Sequence, residues 1–378
     1  METADPPLSV IDPTTPAHFD ERTGGWNVYR HADVTRVLFE ADTFGLGFVP
    51  LDQLPQAHPT FAGMWQTDGQ RHRDLRALVA EPFRPRVLEE IEPLIRQAVD
   101  SRLDAALTRG DGRLELVGEL AEPVPAVAIC HILGVDTGDA AKMVVWMDEL
   151  AETVLAADFV QPQPEMTAYF LNLVDQRRRR PQVGVVDELI AAQAAGTLID
   201  GRELTDWDLI GYLSMLLAAG TETVTAGIGN MMLYLTEFDL LDRLRAEPGL
   251  RDRAIEETLR WRPPFPCGRR YTRQATVLAG HELRVGDPVN AWISAANRDP
   301  GQFDAPDVFR VDRPVRRNLA FGVGPHYCLG AGLARLELRV VLDQILERCT
   351  RFERDLSRPV VRRHWMVDSA RQAYFRAA

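Results

Sequence analysis

Four short stretches of this chain place reactive or charged side chains at spacings that could do chemistry. The first is FGVGPHYCLG, residues 321–330, which presents Cys328 just ahead of a long helical pattern, AGLARLELRVVLDQILERC. Unpaired N–H groups and the macrodipole at a helix N-terminus favour a thiolate, so Cys328 is placed to be an anionic ligand or a nucleophile. The glycines let the loop pass close to something flat and let amide hydrogens point at the sulfur. For one cysteine, the plainer reading is a small hydrophobe packed in a turn. The second stretch is AGTETV, residues 219–224. Ala219 and Gly220 imply a close neighbour, while Glu222 and Thr223 put polar groups where apolar ones are expected, and such groups need partners or a purpose. Alternatively Thr223 bonds back to the Ala219 carbonyl and Glu222 reaches solvent, which would only bend the helix. The third is Glu257 and Arg260 in AIEETLRW, one helical turn apart; on a surface such a pair is worth about 0.2–0.5 kcal/mol. Glu256 could serve Arg260 equally well at i+4. The fourth is DGQRHRDLR, where His72 and Arg76 share a helical face that by itself reads as a solvated basic surface.

The elements that must position these groups are mostly helical. Thr205 and Asp208 fit a capping box, and DLIGYLSMLLAAGTETVTAGIGNMMLYL follows, apolar on most faces. A helix of that kind is buried and should cross the centre of the molecule. Apolar residues recur at helical spacing over 71–78 and 87–107, and again in EPVPAVAICHILGV. WNVYR reads as a strand followed by a helix, HADVTRVLFE. Residues 44–66 hold too many glycine and proline breakers for a regular element and read as a long apolar loop, a type more often functional than idle. Beyond the prolines at 263, 264 and 266, RYTRQATVLAG and HELRVGDPVNAWIS read as short strands. No repeat or Gly/Ser-rich linker marks a boundary.

FGVGPHYCLG holds all six fixed residues of FGxGxHxCxG, the haem-binding signature of the cytochrome P450 family, and the chain resembles that family over almost its whole length. The resemblance implies one domain over residues 1–378: a triangular helical prism, mainly α with a small β region, with haem b between the long central helix and the cysteine loop. Cys328 would be the axial thiolate on iron, pushing electron density that favours O–O cleavage. His326 would donate toward a haem propionate, and Phe321, Gly322, Gly330 and Ala219 would flank the porphyrin. AGTETV is similar to the family's oxygen-activation motif, in which Thr223 would hydrogen-bond dioxygen or its water and Glu222 would feed protons. Glu257 and Arg260 resemble the ExxR pair, which is buried and holds the fold. His72 and Arg76 match a helix that binds a propionate. A third basic group is expected after the ExxR helix; Arg269 and Arg270 both stand there, and counting back from Gly280 favours Arg270. The substrate pocket would be lined by residues 44–66, Met215, Ala218, Pro266 to Gly268 and the turn at Val367 and Asp368. That turn reads WMVDSARQA where the family is usually small and apolar, and the roof region near 150–180 is compact, so both departures bear on the substrate.

The implied activity is monooxygenation, with hydroxylation or epoxidation of a small organic substrate, in bacterial secondary metabolism. No GxGxxG follows a strand, so electrons would come from a ferredoxin and ferredoxin reductase. Oxidative coupling or peroxide use on the same fold, or a haem-thiolate sensor, are the alternatives. Glu222 and Thr223 argue against dedicated peroxide use, because such enzymes lack that pair. The chain of 378 residues has 26% charged residues and a net charge of -12, ordinary for a globular protein and unsuited to broad nucleic-acid binding. Of 43 basic residues only Lys142 is lysine, a skew that suggests a GC-rich bacterial genome. The start resembles no signal peptide and no run of about 18 apolar residues is evident, so a cytoplasmic location off the membrane is expected. Cys130, Cys267, Cys328 and Cys349 form no metal-binding spacing. Between Arg298 and Arg339 seven Arg face five Asp or Glu, a local excess of +2 in an acidic chain, which with Arg71, Arg73 and Arg76 would suit an acidic electron donor.

Overall fold

Thr205 starts the longest helix by a reciprocal cap. Its hydroxyl accepts from the Asp208 N–H at 3.2 Å, and the Asp208 carboxylate accepts from the Thr205 N–H at 2.8 Å. Two of the orphan donors at the helix start are thereby satisfied. A computed structural model describes residues 16–46, 63–155, 163–199, 201–364 and 366–378. Its helices are α1 (His31–Phe39), α2 (Gly69–Ala77), α3 (Pro85–Thr108), α4 (Pro123–Leu133), α5 (Ala140–Leu155), α6 (Pro164–Arg179), α7 (Val185–Ala194), α8 (Asp206–Glu237), α9 (Leu241–Ala246), α10 (Arg251–Trp261), α11 (Ile293–Ala296) and α12 (Ala331–Arg348).

The helix α8 is enclosed by α4, α5, α10 and α12. Leu209, Leu213, Leu217, Ile228 and Met231 are each fully buried, so the all-round apolar pattern produces the central helix it implied. By length and composition α8 could cross a membrane, but 72% of its most apolar window is buried inside the protein. Gly220 makes close approach to α4 possible: a Cβ there would meet Ile129 Cδ1 at 2.8 Å. Helices α2 and α3, at 69–77 and 85–108, begin and end within two residues of their spacing-based ranges.

The largest sheet has the order β1-β2-β10-β7-β3, built from β1 (Ala17–Asp20), β2 (Gly25–Val28), β3 (Phe44–Leu46), β7 (Cys267–Thr272) and β10 (Pro288–Trp292). Smaller pieces are β4 (Arg113–Glu115) with β11 (Phe352–Arg354) and β14 (Tyr374–Ala377), β5 (Leu198–Ile199) with β6 (Arg202–Glu203), β8 (Thr276–Leu278) with β9 (His281–Leu283), and the hairpin of β12 (Val361–His364) and β13 (Asp368–Gln372). One element runs against the loop reading of 44–66. Phe44–Leu46 pairs antiparallel with β7, Leu46 opposite Arg270, and Phe44 is fully buried. Three residues gain strand geometry from a tertiary partner, not from local propensity. Most of the remaining stretch, 47–62, lies outside the described residues.

Candidate active site

The cysteine loop is held by its own backbone first. The Cys328 N–H donates to the Phe321 carbonyl at 2.9 Å, closing the loop, and Gly322 and Gly324 take left-handed φ of 69° and 75°. A side chain at Gly324 would also meet Phe39 of α1 at 2.9 Å, so that position needs glycine twice over. Gly330 keeps an ordinary φ of -85° as the residue before α12, and its N–H points at the Cys328 sulfur. Burial raises the thiol pKa, while that N–H and the charges of Arg76 and Arg335 pull it the other way. Cys328 nevertheless keeps accessible surface. Phe321 is half-buried, with the Arg335 guanidinium 4.3 Å from its ring centroid. The other thiols belong to packing: Cys130 and Cys349 are buried in the main core, and Cys267 lies in β7.

The basic groups expected to face a carboxylate converge beside this loop. Arg76 donates to the Tyr327 carbonyl at 2.8 Å, which ties α2 to the residue before Cys328. The His72 ring is 2% exposed and stands 4.0 Å from the His326 ring, centroid to centroid. Burial, with the charges of His326 and Arg76, pushes the His72 pKa down to about 4, so His72 is neutral near pH 7. Arg270 is 9% exposed, and among the described residues its side chain donates only to the carbonyl of Arg269, at 2.9 Å. Burial lowers its pKa to about 10. Neither Arg76 nor Arg270 forms an ion pair with a described residue. A buried guanidinium without a counterion is costly. Its neighbour Arg269 turns outward to the carbonyls of Thr23 and Gly24, which separates the two candidates left open by the sequence. His326 Nε2 lies 2.7 Å from Asp68 Oδ1, a partner the sequence reading did not name. Asp68 also accepts from the Leu46 N–H at 3.0 Å and from Arg273 at 2.5 Å. Burial pushes the Asp68 pKa up, but the His326 and Leu46 hydrogen bonds and the Arg273 charge outweigh it and leave it lowered. Sequence reasoning missed Asp68, although it precedes α2 within the same DGQRHRDLR stretch.

On the central helix, Ala219 is exposed and Ala218, Gly220, Glu222 and Thr223 are half-buried, an opening in an otherwise buried rod. Thr223 Oγ1 donates to the Ala219 carbonyl at 2.8 Å, the back-bond that was the plainer alternative. Glu222 does not join it. It lines an open cleft of about 450 Å³ with Glu122, Thr221, Thr225, Asp148 and Arg371. Met215, one turn before Ala219, is 1% exposed and packs in the core; Pro266 is buried and Val367 is 4% exposed, so their surfaces are largely covered by protein.

Beneath the loop, α10 supplies two neighbouring glutamates to two tasks. Glu257 takes Arg260 in a bidentate pair, Nε at 2.7 Å and Nη2 at 2.8 Å, both side chains 2% exposed. It also accepts from Arg313 at 3.0 Å and from the Arg310 N–H at 2.8 Å, while Arg260 donates to the carbonyls of Asn297 and Pro306. Glu256 turns instead to Arg335 and Asn318, so the choice between the two glutamates is decided by geometry. Arg313 had no local sequence signal; only the fold brings it in.

Most arginines of the 298–339 segment are paired with carboxylates, several of them at the surface. Arg298, Arg310, Arg313, Arg335 and Arg339 each pair with an Asp or Glu, and Arg71 also has a partner. Arg317 and Arg73 remain exposed beside this region.

An α-dominated body with a cysteine loop ahead of a helix, and buried basic groups around it, defines the class of haem-dependent monooxygenases. The chain belongs to the cytochrome P450 family, whose model matches residues 165–369. It is 35% identical to the erythromycin C-12 hydroxylase of Saccharopolyspora erythraea, over 89% of this chain and 85% of that protein. HmtN, a post-tailoring hydroxylase involved in himastatin biosynthesis, superposes with a TM-score of 0.87 at 31% identity, covering 100% of this chain and 98% of that one. CxnD, described as forming a C–S bond in chuangxinmycin biosynthesis, gives a TM-score of 0.85 at 28% identity over 95% and 90% of the two chains.

Proposed function

We propose that this chain is one haem b domain that hydroxylates or epoxidises a bacterial secondary metabolite in the cytoplasm, drawing electrons from a ferredoxin and its reductase. The observation that supports the site is a pair of guanidiniums, half-buried Arg76 and buried Arg270, that form no ion pair with a described residue beside an accessible Cys328. Two propionates answer that charge, with neutral His72 as a further hydrogen-bonding group. When bound, haem ligated by a thiolate supplies the electron push that favours O–O cleavage. The Gly330 N–H and the loop closed at Phe321 hold the sulfur in place. On the opposite wall Thr223 exchanges its bond to the Ala219 carbonyl for one to the reacting oxygen, holding a proton at Oγ1. Glu222 collects protons from the open cleft and passes them from its carboxyl group. Half-buried Ala218 beside exposed Ala219 offers the apolar surface that excludes water and orients the substrate, with Met215, Pro266 and Val367 packed behind it.

The test is spectroscopic. Reduced, haem-loaded protein under carbon monoxide should absorb at about 450 nm, and Cys328→Ala should abolish that band. Absence of the band in folded, haem-supplied wild type would remove the thiolate assignment. The similarity to a C–S bond-forming protein favours a second reading, oxidative coupling. Turnover under ¹⁸O₂ separates the two, since only oxygen insertion labels the product.

A further inference from the structure

The final turn, WMVDSARQA, is charged where relatives are expected to be small and apolar, and its charge is wholly engaged. Asp368 opens β13. Arg262, the residue after α10, grips its carboxylate with two donors, Nε at 2.6 Å and Nη2 at 3.0 Å. The third arm of Arg262 donates to the Tyr234 hydroxyl of α8 at 2.8 Å. Arg362 of β12 lies 3.7 Å from the same carboxylate and donates to Asn230 Oδ1 of α8 at 3.3 Å. Asn230 donates back to the Asp368 carbonyl at 3.2 Å, and the Asp368 N–H donates to the Pro264 carbonyl at 2.8 Å. The side chains of Arg262 and Asp368 are 9% and 8% exposed.

Four segments therefore meet at one buried residue, Asp368, through its carboxylate and its backbone: α8, the end of α10, the proline stretch before β7, and the β12–β13 hairpin. From there β13 runs along α8, and its Ser369, Ala370 and Arg371 wall the cleft that Glu222 lines. A buried ion pair is often replaceable by apolar residues without loss of stability, so its use here is to fix geometry. We propose that Arg262 and Asp368 are positioning residues that set the distance between the Val367 turn, Pro266 and α8, and thereby select which substrates fit. This rests on the reading that Val367 and Pro266, themselves largely covered by protein, back the pocket wall.

Holoenzyme variants titrated with imidazole and with 4-phenylimidazole test it. Imidazole occupies only the space next to the iron, whereas the phenyl group reaches the wall. Asp368→Asn and Arg262→Met should each change the spectral Kd of 4-phenylimidazole by about tenfold and that of imidazole by less than about twofold. Amide exchange over 366–372 should quicken while α12 is unchanged. The double variant Arg262→Met/Asp368→Asn removes the charges of the bidentate pair and leaves Arg362 its bond to Asn230; it should regain part of the stability lost by Asp368→Asn alone but keep the altered phenylimidazole affinity. If the double variant regains wild-type affinity together with stability, the pair is only structural and the proposal fails. Val367→Phe distinguishes the underlying reading. If it leaves both azoles unaffected, the turn is not pocket wall. If it weakens 4-phenylimidazole while the Arg262 and Asp368 variants do not, the wall reading stands and the positioning role is overturned.

Discussion

Glu337 of α12 is fully buried, and neither carboxylate oxygen finds a hydrogen-bond partner among the described residues. Burial alone raises its pKa well above the ordinary carboxylate value, so the folded protein holds it protonated. The unfolded chain releases that proton near the ordinary value. Stability from this group is therefore complete at low pH and falls as pH rises, by up to about 1.4 kcal/mol per pH unit until the folded group titrates. Glu337→Gln should remove this slope: urea denaturation from pH 5 to 8 should show the variant gaining on wild type as pH rises, and parallel curves would contradict the assignment. Thr223 offers a second test at this scale. Thr223→Ala should cut product formed by about a hundredfold, the low end of a positioned proton-transfer contribution, while NADH consumption continues. A haem-thiolate sensor would show no such split. The residue types at Thr223, Cys328 and the basic positions were legible from spacing. The partner of His326 was not, because Asp68 is 258 positions away in the chain.

At the scale of elements, α10 acts as the strut beneath the cysteine loop, and its strength lies in one carboxylate shared by Arg260, Arg313 and the Arg310 N–H. Glu257→Ala would leave two buried guanidiniums uncompensated, a loss of about 3–5 kcal/mol. Denaturation of the variant should show a loss in that range, and a loss below about 1 kcal/mol would mean that Glu256 or water takes over. Helix boundaries followed from apolar periodicity and caps, as Thr205 and Asp208 illustrate, since both are local. Strand β3 escaped that logic. Its three residues are fixed by pairing with β7 and by the Asp68 carboxylate, partners that no local pattern reveals.

Across the whole molecule, charge alone was a poor guide to surface. Net charge and its local excess are sums over sequence, whereas a docking face depends on which side chains remain unpaired outside. Five of the seven arginines of the 298–339 segment are paired with carboxylates, which leaves Arg316 and Arg317 exposed; Arg316 donates to the Gln302 carbonyl, and Arg317, 6.0 Å from the Tyr327 ring centroid, is the better-placed cation beside the cysteine loop. Arg317→Glu should slow ferredoxin-supported turnover several-fold at low salt and leave peroxide-supported turnover unchanged; the difference should shrink at about 1 M salt, where the screening length falls to about 3 Å. Equal loss in both assays would sink the docking assignment. The sequence by itself determined the family, the cysteine loop and the central helix, because each is written in contiguous residues whose spacing is fixed by helix and loop geometry. Only tertiary structure decided which of two glutamates braces the loop and which of two arginines turns inward. It also decided that Glu222 opens to a cleft while Thr223 bonds its own helix, and that the charged final turn is held by Arg262. Those choices depend on side-chain direction and on partners distant in sequence, where burial without a counterion is too costly to leave unanswered.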